Sequence, residues 1–174
     1  APDYETKDSY TATVTVSDGN NSVIQTIRVN IVNLNDNVPI FTFPNPNGQT
    51  NINYQENSST SVLTPQVNDA DGDTLTFDLI GTDAGSFNIN SQTGEITFKS
   101  SPDYEQKNSY SLGIRANSPG ANTSVNFDIS ITDLALTFSS SSIFSADENQ
   151  ISIGSVTVSD IDGQSVSFSI SGSE

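Results

Sequence analysis

Nine residues occur twice, one hundred positions apart. Pro2-Asp-Tyr-Glu-Thr-Lys-Asp-Ser-Tyr10 and Pro102-Asp-Tyr-Glu-Gln-Lys-Asn-Ser-Tyr110 are identical at seven of the nine places. A repeat of this period divides a chain into tandem domains rather than building one large fold. Between the copies lies Asn33-Leu-Asn-Asp-Asn-Val-Pro-Ile-Phe41, a run of oxygen-bearing side chains closed by a proline. Acidic turns recurring once per domain, with an oxygen-rich joint between domains, suggest calcium bound at the junctions.

Composition agrees with that reading and narrows the alternatives. The 174 residues include 21 acidic and 5 basic ones, a formal net charge of −16. Nucleic acid and anionic membrane surfaces would be repelled, whereas cations are natural partners. General acidity for solubility would explain the charge but not its clustering in the repeated motifs. Cysteine is absent, so no disulfide or thiolate chemistry is available. Histidine is absent too, which removes the commonest general base and the usual zinc or copper ligand. Neither a signal peptide nor a transmembrane stretch is visible. The sequence opens in mid-repeat and therefore reads as a piece of a longer polypeptide.

Strand signals dominate, and no window carries a helical period. Thr11–Val16 and Ile24–Val32 alternate polar and apolar residues around the turn Asp18-Gly-Asn-Asn-Ser22, which predicts a hairpin. Seven short strands are expected between Pro39 and Leu134: Gln49–Tyr54, Ser61–Val67, Thr74–Ile80, Phe87–Asn90, Glu95–Lys99, Tyr110–Ala116 and Ser124–Thr132. Ser91-Gln-Thr-Gly94 is a hairpin turn, with Gly94 free to take positive φ. This pattern predicts an all-β fold of tandem seven-stranded Greek-key β-sandwiches. The expected core is Phe77, Leu79, Phe87, Ile89, Ile96, Phe98, Leu112, Ile114, Phe127, Ile129 and Ile131.

Further repetition locates a third unit. Val67-Asn-Asp-Ala-Asp-Gly-Asp-Thr-Leu-Thr-Phe77 has its partner in Val158-Ser-Asp-Ile-Asp-Gly-Gln-Ser-Val-Ser-Phe168, and Glu56-Asn57 in Glu148-Asn149. The expected organisation is the C-terminal part of a first repeat over 1–38, a complete repeat over 39–134, and the N-terminal part of a third over 135–174. Neither partial repeat carries all the strands of a sandwich. Either a longer chain completes both, or the halves of different molecules complement one another. The former is expected, because a composite would still lack the strands matching Phe87–Asn90 and Glu95–Lys99.

These motifs together resemble the cadherin repeat family: Glu56-Asn57, Asp69-Ala-Asp71, Asp103-Tyr-Glu105 and Asn33-Leu-Asn-Asp-Asn-Val-Pro-Ile-Phe41, in that family's order and spacing across nearly the whole chain. The resemblance implies calcium ions between consecutive domains. At the first joint it implies Asp3 and Glu5 from repeat one, and Asn33, the backbone of Leu34, Asn35, Asp36 and Asn37 from the linker. Asp69, Asp71 and Asn117 would come from repeat two. Asn33 and Asn117 stand where the family usually has acids, which would reduce charge and affinity. At the second joint Ile131-Thr-Asp-Leu134 runs directly into Ala135-Leu-Thr-Phe138, without the Asn-Asp-Asn-x-Pro segment. Glu56, Asp103, Glu105, Asp133, Asp160 and Asp162 remain there as ligands, oxygen enough for about one ion.

Other readings fare worse. Asp69-Ala-Asp-Gly-Asp73 resembles half an EF-hand loop, but Gly72 falls one place early and no flanking helices are expected. Tyr54, Tyr104 and Tyr110 could stack on a sugar, or could belong to the core. No Ser–His pair and no Gly-x-Ser-x-Gly elbow exists, and the acid pairs suit calcium better than glycoside hydrolysis, so no enzyme is expected. The expected function is a calcium-rigidified extracellular spacer or adhesive segment of a longer cell-surface protein. A bacterial-type adhesin is favoured because the repeats are rich in Asn, Ser and Thr. Its partners would be calcium and neighbouring repeats, with homophilic or glycan contacts open. The alternatives are a carbohydrate-binding module of a secreted protein and a subunit of an extracellular filament.

Overall fold

The computed structural model describes residues 1–48, 50–160 and 165–172. Strands β1 (Ser9–Ser17) and β2 (Ser22–Asn30) form the expected antiparallel hairpin, with Ser9 opposite Asn30 and Ser17 opposite Ser22. Its turn is closed by Asp18, whose Oδ1 accepts the N–H groups of Asn20 and Asn21 at 2.9 and 2.7 Å.

The central unit comprises β3 (Ile40–Phe43), β4 (Thr50–Gln55), β5 (Gln66–Asn68), β6 (Thr76–Ile80), β7 (Phe87–Ile89), β8 (Ile96–Phe98), β9 (Ser109–Ser118) and β10 (Ala121–Thr132). One sheet runs β4-β10-β9-β6, with β4 parallel to β10 and the other pairs antiparallel. Against it lie β3–β5 and β7–β8, linked by a bridge between Leu63 and Ile96. The result is the all-β Greek-key sandwich that the strand pattern predicts. Among the described residues the helical content is a single 3-10 turn, Ala84–Ser86.

Period-2 alternation aims the core. Along β10, Val125, Phe127, Ile129 and Ile131 face inward and the residues between them face out or lie half-buried. Phe77, Phe87, Ile96, Leu112, Ile114, Phe127, Ile129 and Ile131 are buried as expected, while Leu79, Ile89 and Phe98 pack partly buried against them. Phe41, Tyr54, Val62, Leu63, Ala116 and Val125 complete the core. Burying one such side chain contributes about 1.5–3 kcal/mol. The first hairpin shows the contrast: Ile114 and Ile129 are fully buried, whereas Val14 and Val29, a hundred positions earlier, are 42% and 53% exposed.

Most strand ends shift by one to three residues, and two departures have identifiable reasons. The run Ser61–Val67 is paired only through Leu63 and through β5, because Pro65 between them has no N–H to give a ladder. Strand β3 begins inside the proline-closed joint, where no alternating pattern announces it. The strand expected at Gln49–Tyr54 is β4, and Gln49 itself lies outside the described residues. Gly94 takes φ +74°, and a Cβ there would sit 2.5 Å from Pro65 Cγ, so both conformation and space require glycine.

In the C-terminal segment β11 (Thr137–Phe138) pairs antiparallel with β12 (Val158–Ser159). Phe138 opposes Val158 there as Phe41 opposes Val67 between β3 and β5. Asn149 adopts φ +69° and its counterpart Asn57 φ +58°, the left-handed conformation that Asn tolerates better than most residues. The β11–β12 pairing thus repeats that of β3 with β5.

Candidate metal centres

The first joint is assembled from three stretches of chain. The Asp3-Tyr-Glu5 turn is closed by the Lys7 N–H donating to the Asp3 carbonyl at 2.9 Å. The Asp3 carboxylate accepts the Glu5 N–H at 3.1 Å and the Thr6 hydroxyl at 2.8 Å. The linker leaves β2 through a bond from the Ile31 N–H to the Asp8 carbonyl and then crosses to the sandwich. There the Asn37 N–H and side-chain amide donate to the two oxygens of Asp71 at 2.8 and 2.9 Å. The same amide also reaches Asp36 Oδ1 at 2.9 Å. Asn33 donates to the Asp71 carbonyl at 3.2 Å, and the Asn35 amide donates to Asp73 Oδ2.

Two acidic groups result. Glu5, Asp36 and Asp71 each bring one carboxylate oxygen within 4.8 Å of the others, and so do Asp69, Asp71 and Asp73. Asp71 belongs to both. Asp69 Oδ1 accepts the Asp73 N–H at 3.3 Å, but Asp69 Oδ2 is buried without a hydrogen-bond partner. A buried carboxylate oxygen with no donor is costly, and a cation is the partner that such a group of oxygens lacks. The residues therefore fit a calcium ion. Asn117, the remaining residue assigned to this joint, donates its amide to Asp78 Oδ1 at 2.7 Å and to the Thr76 carbonyl at 3.3 Å.

At the second joint Glu56 is the anchor. It is only 2% exposed, and its two oxygens accept the N–H groups of Tyr104 at 3.0 Å and Leu134 at 2.7 Å. Glu56, Asp103 and Glu105 form a third acidic group. Asp103 repeats the role of Asp3, accepting the Gln106 N–H and side-chain amide at 3.0 and 2.7 Å. Asp133 and Asp160 line a small cleft with Leu134 and Leu136, and Asp160 Oδ2 is, like Asp69 Oδ2, buried and unpartnered. Asp162 lies outside the described residues.

A family model of the cadherin domain matches residues 50–132, the sandwich from β4 to β10. This chain carries a cadherin domain. Human protocadherin-1 is 32% identical over 129 residues, which are 68% of this chain and 12% of that protein. The chain therefore spans a small part of the curated relatives it matches. Among solved structures, the extracellular cadherin domains 3–6 of protocadherin gamma B2 superpose with a TM-score of 0.68 at 21% identity, over 78% of this chain and 35% of that one. Human mucin-like protocadherin EC1-2 gives 0.66 at 18% identity, over 76% and 72%.

The cadherin match contains the Asp69–Asp73 turn and the Asp103-Tyr-Glu105 turn, while Glu5 and Asp36 lie outside it. The electrostatics of the first joint are those of crowded carboxylates. Hydrogen bonds from Asn37 hold the Asp71 carboxyl below its ordinary range. Glu5 moves the other way: its backbone N–H favours the ionised form, but lost hydration and the facing carboxyls of Asp3 and Asp71 outweigh it and raise its pKa. Asp3 is held low by the Thr6 hydroxyl and the turn N–H groups.

Asp73 is the residue that sequence reasoning passed over. Its signal was present in the spacing Asp69-Ala-Asp-Gly-Asp73, where Gly72 at φ +77° folds the chain so that three alternate carboxylates converge. Among the described residues no helix is long and apolar enough to cross a membrane.

Proposed function

We propose that this chain is a stretch of an extracellular rod whose cadherin-type repeats, over 1–38, 39–134 and 135–174, are stiffened by calcium bound at their joints. The observation that carries the reading is the sharing of Asp71 between two acidic groups whose members come from the hairpin, the linker and the sandwich. Without a cation these carboxylates repel one another and the joint is loose. With calcium bound, the same oxygens tie three segments to common centres. At the first joint Asp3, Glu5, Asn33, the Leu34 carbonyl, Asn35, Asp36, Asn37, Asp69 and Asp71 would supply the oxygens. At the second, Glu56, Asp103, Glu105, Asp133, Asp160 and Asp162 would. The role is mechanical rather than catalytic: a spacer or adhesive segment of a cell-surface protein.

The aromatic side chains support the spacer over a sugar-binding module. Tyr54 is buried and its hydroxyl donates to the Thr60 carbonyl at 2.8 Å. Phe98 stacks against Tyr54, Phe87 and Tyr110 at centroid distances of 5.1, 4.3 and 5.2 Å. Lys107 covers the Tyr110 ring at 4.6 Å. These rings are engaged with the protein rather than lined up for a ligand. Calorimetric titration of calcium into the metal-stripped chain tests the proposal. Binding should be present and should weaken sharply in Asp36→Ala. Absence of binding at millimolar calcium, or an unchanged isotherm in the variant, would overturn it.

A further inference from the structure

The geometry points to an exchange of ligands at the first joint: Asp73, not Asn117, completes the sandwich side of the cation site built on Asp69 and Asp71. This inference rests on the calcium reading above. Asn117 is a weak candidate on two counts. It is neutral where the resemblance expects an acid, and its amide nitrogen, donating to Asp78 Oδ1 and the Thr76 carbonyl, ties the side chain to the β6–β9 pair rather than to the Asp69–Asp73 group. Asp78 in turn binds Arg115 through both oxygens, at 3.1 and 2.7 Å, so Asn117 is one member of a settled polar network on the β6–β9 pair.

Asp73 has the opposite character. Its carboxylate shares a group with Asp69 and Asp71 within 4.8 Å, and its N–H donates to Asp69 Oδ1, which leaves the buried, unpartnered Asp69 Oδ2 in the same group. The Asn35 amide already bridges the linker to Asp73 Oδ2. Turning that side chain over would present its carbonyl oxygen to an ion, with no backbone movement. The charge lost at Asn117 is thus restored four residues beyond Asp69, by a turn that the Gly72 conformation makes possible. The third repeat has Asp160 opposite Asp69 but Gln164 where Asp73 stands, so the substitute is particular to the first joint.

Calcium titration of the 174-residue chain and three variants decides the matter. Asp73→Asn should weaken one class of sites by about tenfold or more, or remove one ion from the stoichiometry, because a charged ligand is lost from a carboxylate cluster. Asn117→Ala should leave the isotherm unchanged. In calcium-free buffer Asp73→Asn should melt no lower than the parent, since removing a charge from the cluster relieves repulsion; a lower melt would assign Asp73 a structural role and overturn the inference. Full binding in Asp73→Asn with weakened binding in Asn117→Ala would also overturn it. Asp36→Ala serves as the reference: if the parent chain binds no calcium the joint reading itself falls, whereas loss in Asp36→Ala with full binding in Asp73→Asn removes the ligand exchange alone.

Discussion

The two joints begin with the same turn and diverge immediately after it. Lys7 closes the first turn on the Asp3 carbonyl at 2.9 Å and Lys107 the second on Asp103 at 3.0 Å, and each lysine lies over the tyrosine three residues on. Beyond the turn, the first linker reaches forward. Its Asn33, Asn35 and Asn37 all donate to Asp71 or Asp73 of the next unit. The second linker is held from behind, with the Leu134 N–H on the buried Glu56 of its own sandwich, and then continues as Ala135-Leu136, which offers no side-chain oxygen. One joint brings like charge together at Asp71 from separate stretches of chain; the other is anchored on Glu56, buried within its own sandwich. The same repeated turn therefore opens one joint where carboxylates from separate stretches of chain converge and one in which part of the order is built from ordinary hydrogen bonds.

The largest test of that difference removes the shared ligand. Asp71→Ala takes one oxygen donor from both acidic groups of the first joint at once, so calcium stoichiometry should fall by more than one ion. Asp160→Ala, at the second joint, has one acidic cleft to lose and should cost at most one. Calorimetry on both variants measures this directly. Equal losses would erase the distinction between the joints, and a full cluster at each joint by anomalous scattering would do the same.

A smaller effect, of a different kind, is expected at Glu56. Replacing it by alanine leaves the N–H groups of Tyr104 and Leu134 without partners in a buried setting. Each unpaired group costs roughly 1–3 kcal/mol. Urea unfolding in the presence of a chelator should therefore show Glu56→Ala destabilised, whereas Asp36→Ala under the same conditions should be neutral or stabilised. A Glu56 variant as stable as the parent without calcium would mean that the second joint depends on cations as heavily as the first.

Much of this was legible in the sequence because it follows from local rules. Alternation along Val125–Ile131 fixes which residues face the core, and the hundred-residue repeat fixes where each turn belongs. The Asp-x-Glu and Asn-Asp-Asn motifs point to Glu5 and Asp36, which the structure brings together with Asp71. What was not legible depends on non-local geometry. Pro65 divides a strand whose apolar pattern reads as continuous, and Phe41 enters the core from a segment that reads as linker. Asn117 can offer an amide oxygen at its position, yet the register of β6 against β9 places Asp78 and Thr76 within reach of its amide nitrogen. Asp73 is the exception: its signal is local, in Asp69-Ala-Asp-Gly-Asp73, but the same stretch also resembles half an EF-hand loop until Gly72 at φ +77° closes the turn.

The smallest expected effect separates protons taken up at the metal centres from protons taken up by the sandwich. Asp78 lies away from the acidic groups, and although partial loss of hydration opposes it, hydrogen bonds from Arg115 and Asn117 hold its pKa below the ordinary 3.8. A carboxyl depressed on folding contributes stability that is present above its unfolded value and is lost as pH falls through the folded one. In chelator, thermal melts below about pH 4 should therefore decline, and Asp78→Asn should flatten part of that decline. The effect should be modest, because the Asp78–Arg115 pair is partly exposed and solvent screens it. Asp71→Ala should leave the Asp78 contribution in place, since the two carboxylates share no hydrogen-bond partner among those described. If the acid-labile stability followed Asp71 instead, the sandwich and the first joint would titrate as one unit, and the separation between a joint governed by cations and a sandwich governed by its own bonds would have to be withdrawn.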